Sequence, residues 1–213
     1  ISNFEDELYL LQNVAIQGTS ASIHLSKGVT PRRIYRVIPD IIDLSHTASS
    51  DRDISVELGT VDKQNGQTLL LELGLPARPA GRYRIAQAEI AYTVPGEAPV
   101  SESVTSDIII QTSDNKEETR TREGAVMNII ERVTAFQLQL EAREALATGK
   151  LDVATVKLRE AATHLLDMGE NELAAAASEE ADNLENQGEM SSTGTKKLQY
   201  GTRKLTQRLS EEG

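Results

Sequence analysis

The sequence predicts an α+β protein with segregated halves: an antiparallel β-sandwich of about seven strands, then an α-helical hairpin or bundle of three to four helices. Three observations carry this expectation. All six prolines lie between Pro31 and Pro99. β-Branched residues concentrate early in the chain and alanines late. The apolar period also changes, from two in the first half to a three-four step in the second. The resulting expected organisation is a sandwich over 13–112, a linker over 113–123 and a helical bundle over 124–213. Residues 1–12 read as the end of a helix from an upstream domain.

In the first half, Ile54, Val56 and Leu58 alternate with polar residues, and Leu69, Leu71, Leu73 and Leu75 repeat the pattern. Such residues share one face of a strand. Further strands are expected at Asn13–Gln17, Ser22–Ser26, Arg33–Ile38, Arg82–Val94 and Val104–Gln111. Asn65-Gly66 signals a hairpin, because both residues tolerate the positive φ of a tight turn. Pro76–Gly81 and Pro95-Gly96 break the chain elsewhere. Along Arg82–Val94 the apolar face shifts from Tyr83/Ile85 to Ile90/Tyr92. One extra residue in the strand, a bulge near Ala86–Ala88, accounts for that change of parity.

Beyond the polar stretch Ser113–Glu123, Val126, Ile129, Val133, Phe136 and Leu140 form a helical stripe that Gly149 ends. Ala154, Leu158, Ala161, Leu165 and Met168 form a second stripe, ending at Gly169. Asn171 is placed to cap a third helix, which carries Leu173, Ala177, Ala181 and Leu184 and closes at Gly188. Ser191–Thr195 reads as a loop. Lys196–Leu209 reads as a last helix, weakened by Gly201.

Composition narrows the function. The net charge is −11, so the overall field repels a phosphate backbone and no nucleic-acid partner is expected. Aromatic residues make up 3% of the chain, which leaves few stacking platforms. There are no cysteines, hence no disulfide, thiolate metal site or cysteine nucleophile. Their absence suits a reducing, cytoplasmic compartment. No apolar run reaches the roughly 18 residues of a membrane span. The chain opens on Ile1 rather than Met, as a fragment would, and a signal peptide upstream would lie out of view.

Catalytic signatures are missing as well. GxGxxG, P-loop and GxSxG patterns do not occur. His24, His46 and His164 show no metal-ligand spacing. His164 and Asp167 are three apart on a helix, where a solvated pair accounts for them without catalysis. No catalytic, cofactor or metal residues are assigned, and a non-enzymatic role is expected. Charge is segregated late in the chain. Asp167 to Glu189 contains acids and no Lys or Arg, after which come Lys196, Lys197, Arg203, Lys204 and Arg208. Two readings stand: the last helix pairs its rim with the acidic helix, or these five residues form a surface for an acidic protein partner.

Three stretches together resemble one known architecture. They are SKGVTPRRIYRVIP (26–39), LGTVDKQNGQTLLLELGLPARPAGRYRIAQAEIAYTV (58–94), and the tail from EAREALATGKLD through LREAATHLLDMGENELA to GTKKLQYGTRKLTQ. The chain resembles the C-terminal region of bacterial von Willebrand factor A domain-containing proteins, with the A domain itself absent. The resemblance implies an upstream A domain in the full-length protein, and a scaffolding or protein-interaction role for this region. Asp43-Leu44-Ser45-His46-Thr47 reads D-x-S-x-T, similar to the A-domain cation motif. Here, however, it runs into an antiparallel-type strand instead of a helix, and no metal site is transferred. The competing expectation is a tetratricopeptide-like helical adaptor that binds a peptide through residues 124–188. It rests on AREALATGKLDVATVKLREA, although no second copy follows at the repeat spacing.

Overall fold

The computed structural model describes residues 14–45, 52–62, 66–96, 98–115, 117–120 and 122–207 of the chain. The helix end expected at 1–12 lies outside them. Among the described residues, seven strands, all paired antiparallel, form two sheets. Strands β1 (Val14–Leu25), β4 (Asp53–Asp62), β6 (Gly81–Val94) and β7 (Val100–Thr112) make one, in the order β4-β1-β6-β7. Strands β2 (Thr30–Ile38), β3 (Ile42–Asp43) and β5 (Thr68–Gly74) make the other, in the order β3-β2-β5.

The alternation places the core as expected. Ile23, Leu25, Ile54, Val56 and Ile85 of the larger sheet cluster with Ile34 of the smaller one, and Leu58, Leu69, Leu71 and Leu73 pack against them. Each aliphatic side chain withdrawn from water stabilises such a sandwich by about 1.5–3 kcal/mol. Leu75 does not join this row. It follows Gly74, where β5 ends, and is exposed.

Local details depart from the sequence reading. The segments expected as separate strands at Asn13–Gln17 and Ser22–Ser26 are one strand, β1. Gly18 takes φ +55°, and the register with β4 shifts around it, so the chain bends without breaking the sheet. The short strand β3 was not anticipated. Asn65 lies outside the described residues, and the hairpin expected there does not join β4 to β5, because the two belong to different sheets. Gly66 does take φ +60°, but β5 pairs with β2, which sets Leu69, Leu71 and Leu73 over the larger sheet. The bulge is real and falls at Ile85, one residue before the expected stretch: Arg84 pairs with Ile109 and Ala86 with Ile108. Ile85 and Ala86 are therefore adjacent yet both buried.

Four helices follow: α1 (Gly124–Ala147), α2 (Leu151–Asp167), α3 (Asn171–Gln187) and α4 (Ser192–Arg203). Compact units divide after Thr121. The connecting stretch carries its own structure, a 3₁₀ turn at Glu118–Arg120, with Ser113 Oγ donating to Glu118 Oε2 at 2.6 Å. Gly149, Gly169 and Gly188 follow the ends of α1, α2 and α3 with φ between +73° and +78°, the left-handed stop that glycine adopts without strain. Successive helices pack against each other, and α4 touches both α3 and α1, so the four close into a ring.

The α2 stripe is buried at Ala154, Leu158, Ala161 and Leu165. The α1 stripe is rotated from the expected one. Val133, Ala135, Leu138, Gln139, Ala142 and Ala145 are buried, Ile129, Phe136 and Leu140 only half so, and Val126 is exposed. Small alanines admit a neighbouring helix closely, which pushes the bulkier residues to the flanks. Asn171 does not cap α3; it is the first helical residue, and the N-cap position, Glu170, makes no side-chain cap bond. The expected loop 191–195 is helical from Ser192, because Ser191 Oγ caps α4 by accepting from Gly194 N at 2.9 Å. The last helix accordingly starts and ends earlier than expected.

Gly201 also has a role that helix propensity hides. A Cβ there would overlap the Leu173 side chain, so the glycine is a notch that lets α4 lie against α3. Gly201→Ala raises intrinsic helix propensity by about 1 kcal/mol. It should nevertheless destabilise the helical unit, by about 1–2 kcal/mol in urea denaturation, because overpacking exceeds that gain.

Candidate interaction site

The helical unit is organised around how α4 is held. Glu180 lies on the same α3 face as Ala177, Ala181 and Leu184, and is 2% exposed. Its carboxylate accepts from Ser191 N at 2.6 Å, from Ser191 Oγ at 2.6 Å and from Asn183 Nδ2 at 3.3 Å. An anion thus sits at the N-terminus of α4, where the free N–H groups and the helix dipole favour it. Gly194 makes room for it, since a Cβ at that position would collide with the carboxylate.

Arg132 of α1 secures the other end. Its Nη1 donates to Leu205 O at 2.8 Å and lies 3.7 Å from Glu170 Oε1 in the α2–α3 turn, while Nε donates to Asn128 Oδ1 at 2.7 Å. The Arg132 and Glu170 side chains are 13% and 17% exposed, well shielded for an ion pair. Between that turn and the end of α4 opens a cavity of about 650 Å³, whose lining includes Glu170, Asn171, Glu172, Leu173, Tyr200 and Lys204. The Lys204 ammonium stands 4.3 Å from the Tyr200 ring centroid. An aromatic face, an ammonium and carboxylates are groups suited to holding a polar ligand.

The five basic residues singled out from sequence differ in how they are placed. Lys196, Lys197 and Arg203 are exposed on α4, Lys204 is half-buried against Tyr200, and Arg208 lies outside the described residues. The acidic rim of α3 turns instead toward α2: Arg159 Nη2 is 3.2 Å from Asp182 Oδ1 and 2.6 Å from Glu185 Oε2. Lys157 joins α1 to α2, with its Nζ 3.1 Å from both Glu160 Oε2 and Glu141 Oε2. Hydrogen bonds to Glu160 and then Glu141 raise its pKa above the ordinary lysine value.

The other residues flagged in the sequence serve local structure. His24 Nδ1 meets Asp53 Oδ1 at 2.8 Å across the β1–β4 ladder, at an exposed position. His164 is half-buried on α2. In the D-x-S-x-T stretch, Asp43 Oδ1 accepts from Ser45 N at 2.8 Å, and Ser45 Oγ accepts from Ile34 N at 3.0 Å. These two residues close the turn that holds β3 on β2. His46 and Thr47 lie outside the described residues. Among the described residues, no three His, Asp or Glu side chains gather as a metal site would require, and no helix is long and apolar enough to cross a membrane.

Known proteins agree with both halves of this architecture. Residues 124–208 match the family described as Sll0103-like, C-terminal alpha-helical domain. The fold as a whole is similar to that of a solved protein described as von Willebrand factor type A from Catenulispora acidiphila, with a TM-score of 0.72 and 14% identity. That match covers 95% of this chain and 49% of the other, so the chain spans about half the length of its structural relative. No curated protein matches the sequence.

Proposed function

We propose that this chain is a non-catalytic structural and protein-interaction module that accompanies an A domain lying outside it. The observation that carries the reading is how its side chains are deployed. Glu180, Arg132 and Glu170 are committed to internal ties. Meanwhile Val153 and Val156, at 47% and 52% exposure, present apolar surface on α2. Isolated surface aliphatics are ordinary; we read this pair, three residues apart on one helix face, as a contact surface for a partner helix or strand. The similarity to half of an A-domain protein and to a C-terminal domain family supports placement beside an A domain. Exposed Lys196, Lys197 and Arg203, with Lys204, supply a basic rim for an acidic protein partner.

The test is quantitative affinity capture with the wild-type chain and a Val153→Asp/Val156→Asp variant. Both positions are exposed, so the melting temperature should hold while retention of the partner falls by tenfold or more. Equal retention would remove this surface from the account.

A groove between α2 and α3 favours a second reading, the peptide adaptor. It has a volume of about 360 Å³, with Ala162, Ala174 and Ala175 among its lining and Leu166 beside them. Leu166 is 61% exposed, a ready apolar anchor. An adaptor acting here should lose peptide binding in Ala175→Trp, which fills the groove, and keep it in the Val153/Val156 variant; the opposite pattern of losses would exclude it.

A further inference from the structure

We infer that β7 is a homodimerisation edge, along which two copies of this chain join their four-stranded sheets into one. An unpaired edge strand offers a row of free N–H and C=O groups, and natural proteins guard such rows with short strands, prolines, bulges, charged residues or side-chain caps. Two of the other edges of this sandwich show such guards. On β4, Gln67 Nε2 donates to the Leu58 and Thr60 carbonyls at 2.9 and 3.0 Å. Strand β3 has two residues.

Strand β7 is different. It runs 13 residues without Pro or Lys, pairs with β6 on one side, and has no strand on its other side among the described residues. The register shift of the β6–β7 pair puts the extra residue, Ile85, in β6, leaving β7 regular. Val100 and Val104 are 52% and 55% exposed on it.

The strand's own sequence argues for a second copy as the occupant. Antiparallel pairing along the full length of two β7 strands centres on Ser106. Val104 then faces Ile108 of the copy, twice over, on the side of the sheet that carries the core. The two carboxylates meet neutral residues: Glu102 stands opposite Ile110, and Asp107 opposite Thr105. Like charges directly opposite would destabilise the pair, and this register has none. Both acids are also held back toward β6, Glu102 accepting from Tyr92 Oη at 3.0 Å and Asp107 from Gln87 Nε2 at 3.1 Å and Arg84 Nη1 at 3.3 Å. A two-fold interface of this kind is closed and self-complementary.

The 213-residue chain has no cysteine, which makes the test clean. Sedimentation of the 213-residue chain over a concentration series should show a reversible dimer. Ser106→Cys should cross-link to a covalent dimer on mild oxidation, because residues facing each other across an antiparallel pair fall within disulfide reach. Ser101→Cys should not, since its counterpart lies about 34 Å along the strand. Val104→Glu, at an exposed position, should weaken the dimer by about tenfold or more without changing the melting temperature. A monomer throughout the series overturns the inference and leaves β7 for a different strand. A dimer overturns it equally if both cysteine variants cross-link alike or if Val104→Glu has no effect.

Discussion

Replacing Glu180 by alanine should destabilise the helical unit by about 3 kcal/mol and release α4 first. The estimate follows from what the carboxylate does. It accepts two 2.6 Å bonds from Ser191, one from the backbone N–H and one from the hydroxyl. Hydrogen bonds to a charged group contribute about 1.5–3 kcal/mol each, and bonds sharing one acceptor group are not additive. Alanine would also strand a backbone donor at a helix start that the wild type satisfies. Hydrogen exchange should show the α4 amides losing protection well before those of α2. Glu180→Gln, which keeps an acceptor and the shape, should cost clearly less. A double-mutant cycle with Ser191→Ala should return a coupling of about 1 kcal/mol or more, since the two residues share one network.

Arg132→Leu should cost about 2–4 kcal/mol, measured by denaturation of the same unit. Removing Arg132 deletes a shielded ion pair, and the Leu205 carbonyl loses its donor as well. The α2–α3 turn and the end of α4 should loosen together, because Arg132 reaches both. A double-mutant cycle of Arg132→Leu with Glu170→Gln should return a coupling of about 1 kcal/mol. A coupling near zero would mean that the Leu205 bond, and not the ion pair, is the part that matters.

These two ties show where the sequence was legible and where it was not. Period-two alternation at Ile54/Val56/Leu58 and Leu69/Leu71/Leu73 is a local signal, and it located the sandwich core. The change of parity between Tyr83/Ile85 and Ile90/Tyr92 revealed the bulge to within one residue, because an extra residue must swap the faces of a strand. The helix-ending glycines were equally local. The hairpin at Asn65-Gly66 was misread because a turn dipeptide specifies a bend and not which sheet receives the next strand. On α1, alanines carry little weight in a hydrophobic pattern, although they mark the closest helix contacts, so the stripe was placed to one side of the buried face.

Glu180 did have a sequence signal that went unused. It stands three residues after Ala177 and four before Leu184, on the apolar stripe, where an acid needs a buried partner. Its partner, Ser191, belonged to a stretch read as loop, and its fit depends on Gly194, whose purpose appears only in three dimensions. Gly201 was read by propensity alone, which sees a cost and misses the notch for Leu173. Of the basic residues chosen from sequence, Lys204 is the one the fold places at a cavity, while the acids expected to meet that helix pair with Arg159 of α2.

The central claim is that this chain acts through its surface, with its buried charges reserved for holding α4. The most direct measurement is a hydrogen-exchange footprint of the chain saturated with the partner that affinity capture retains. The account predicts new protection on the outer face of α2 around Val153 and Val156 and along the basic side of α4, with exchange near Glu180 and Arg132 unchanged. Protection confined to other surfaces, or a footprint produced only by a small molecule in the Tyr200–Lys204 cavity, would contradict it.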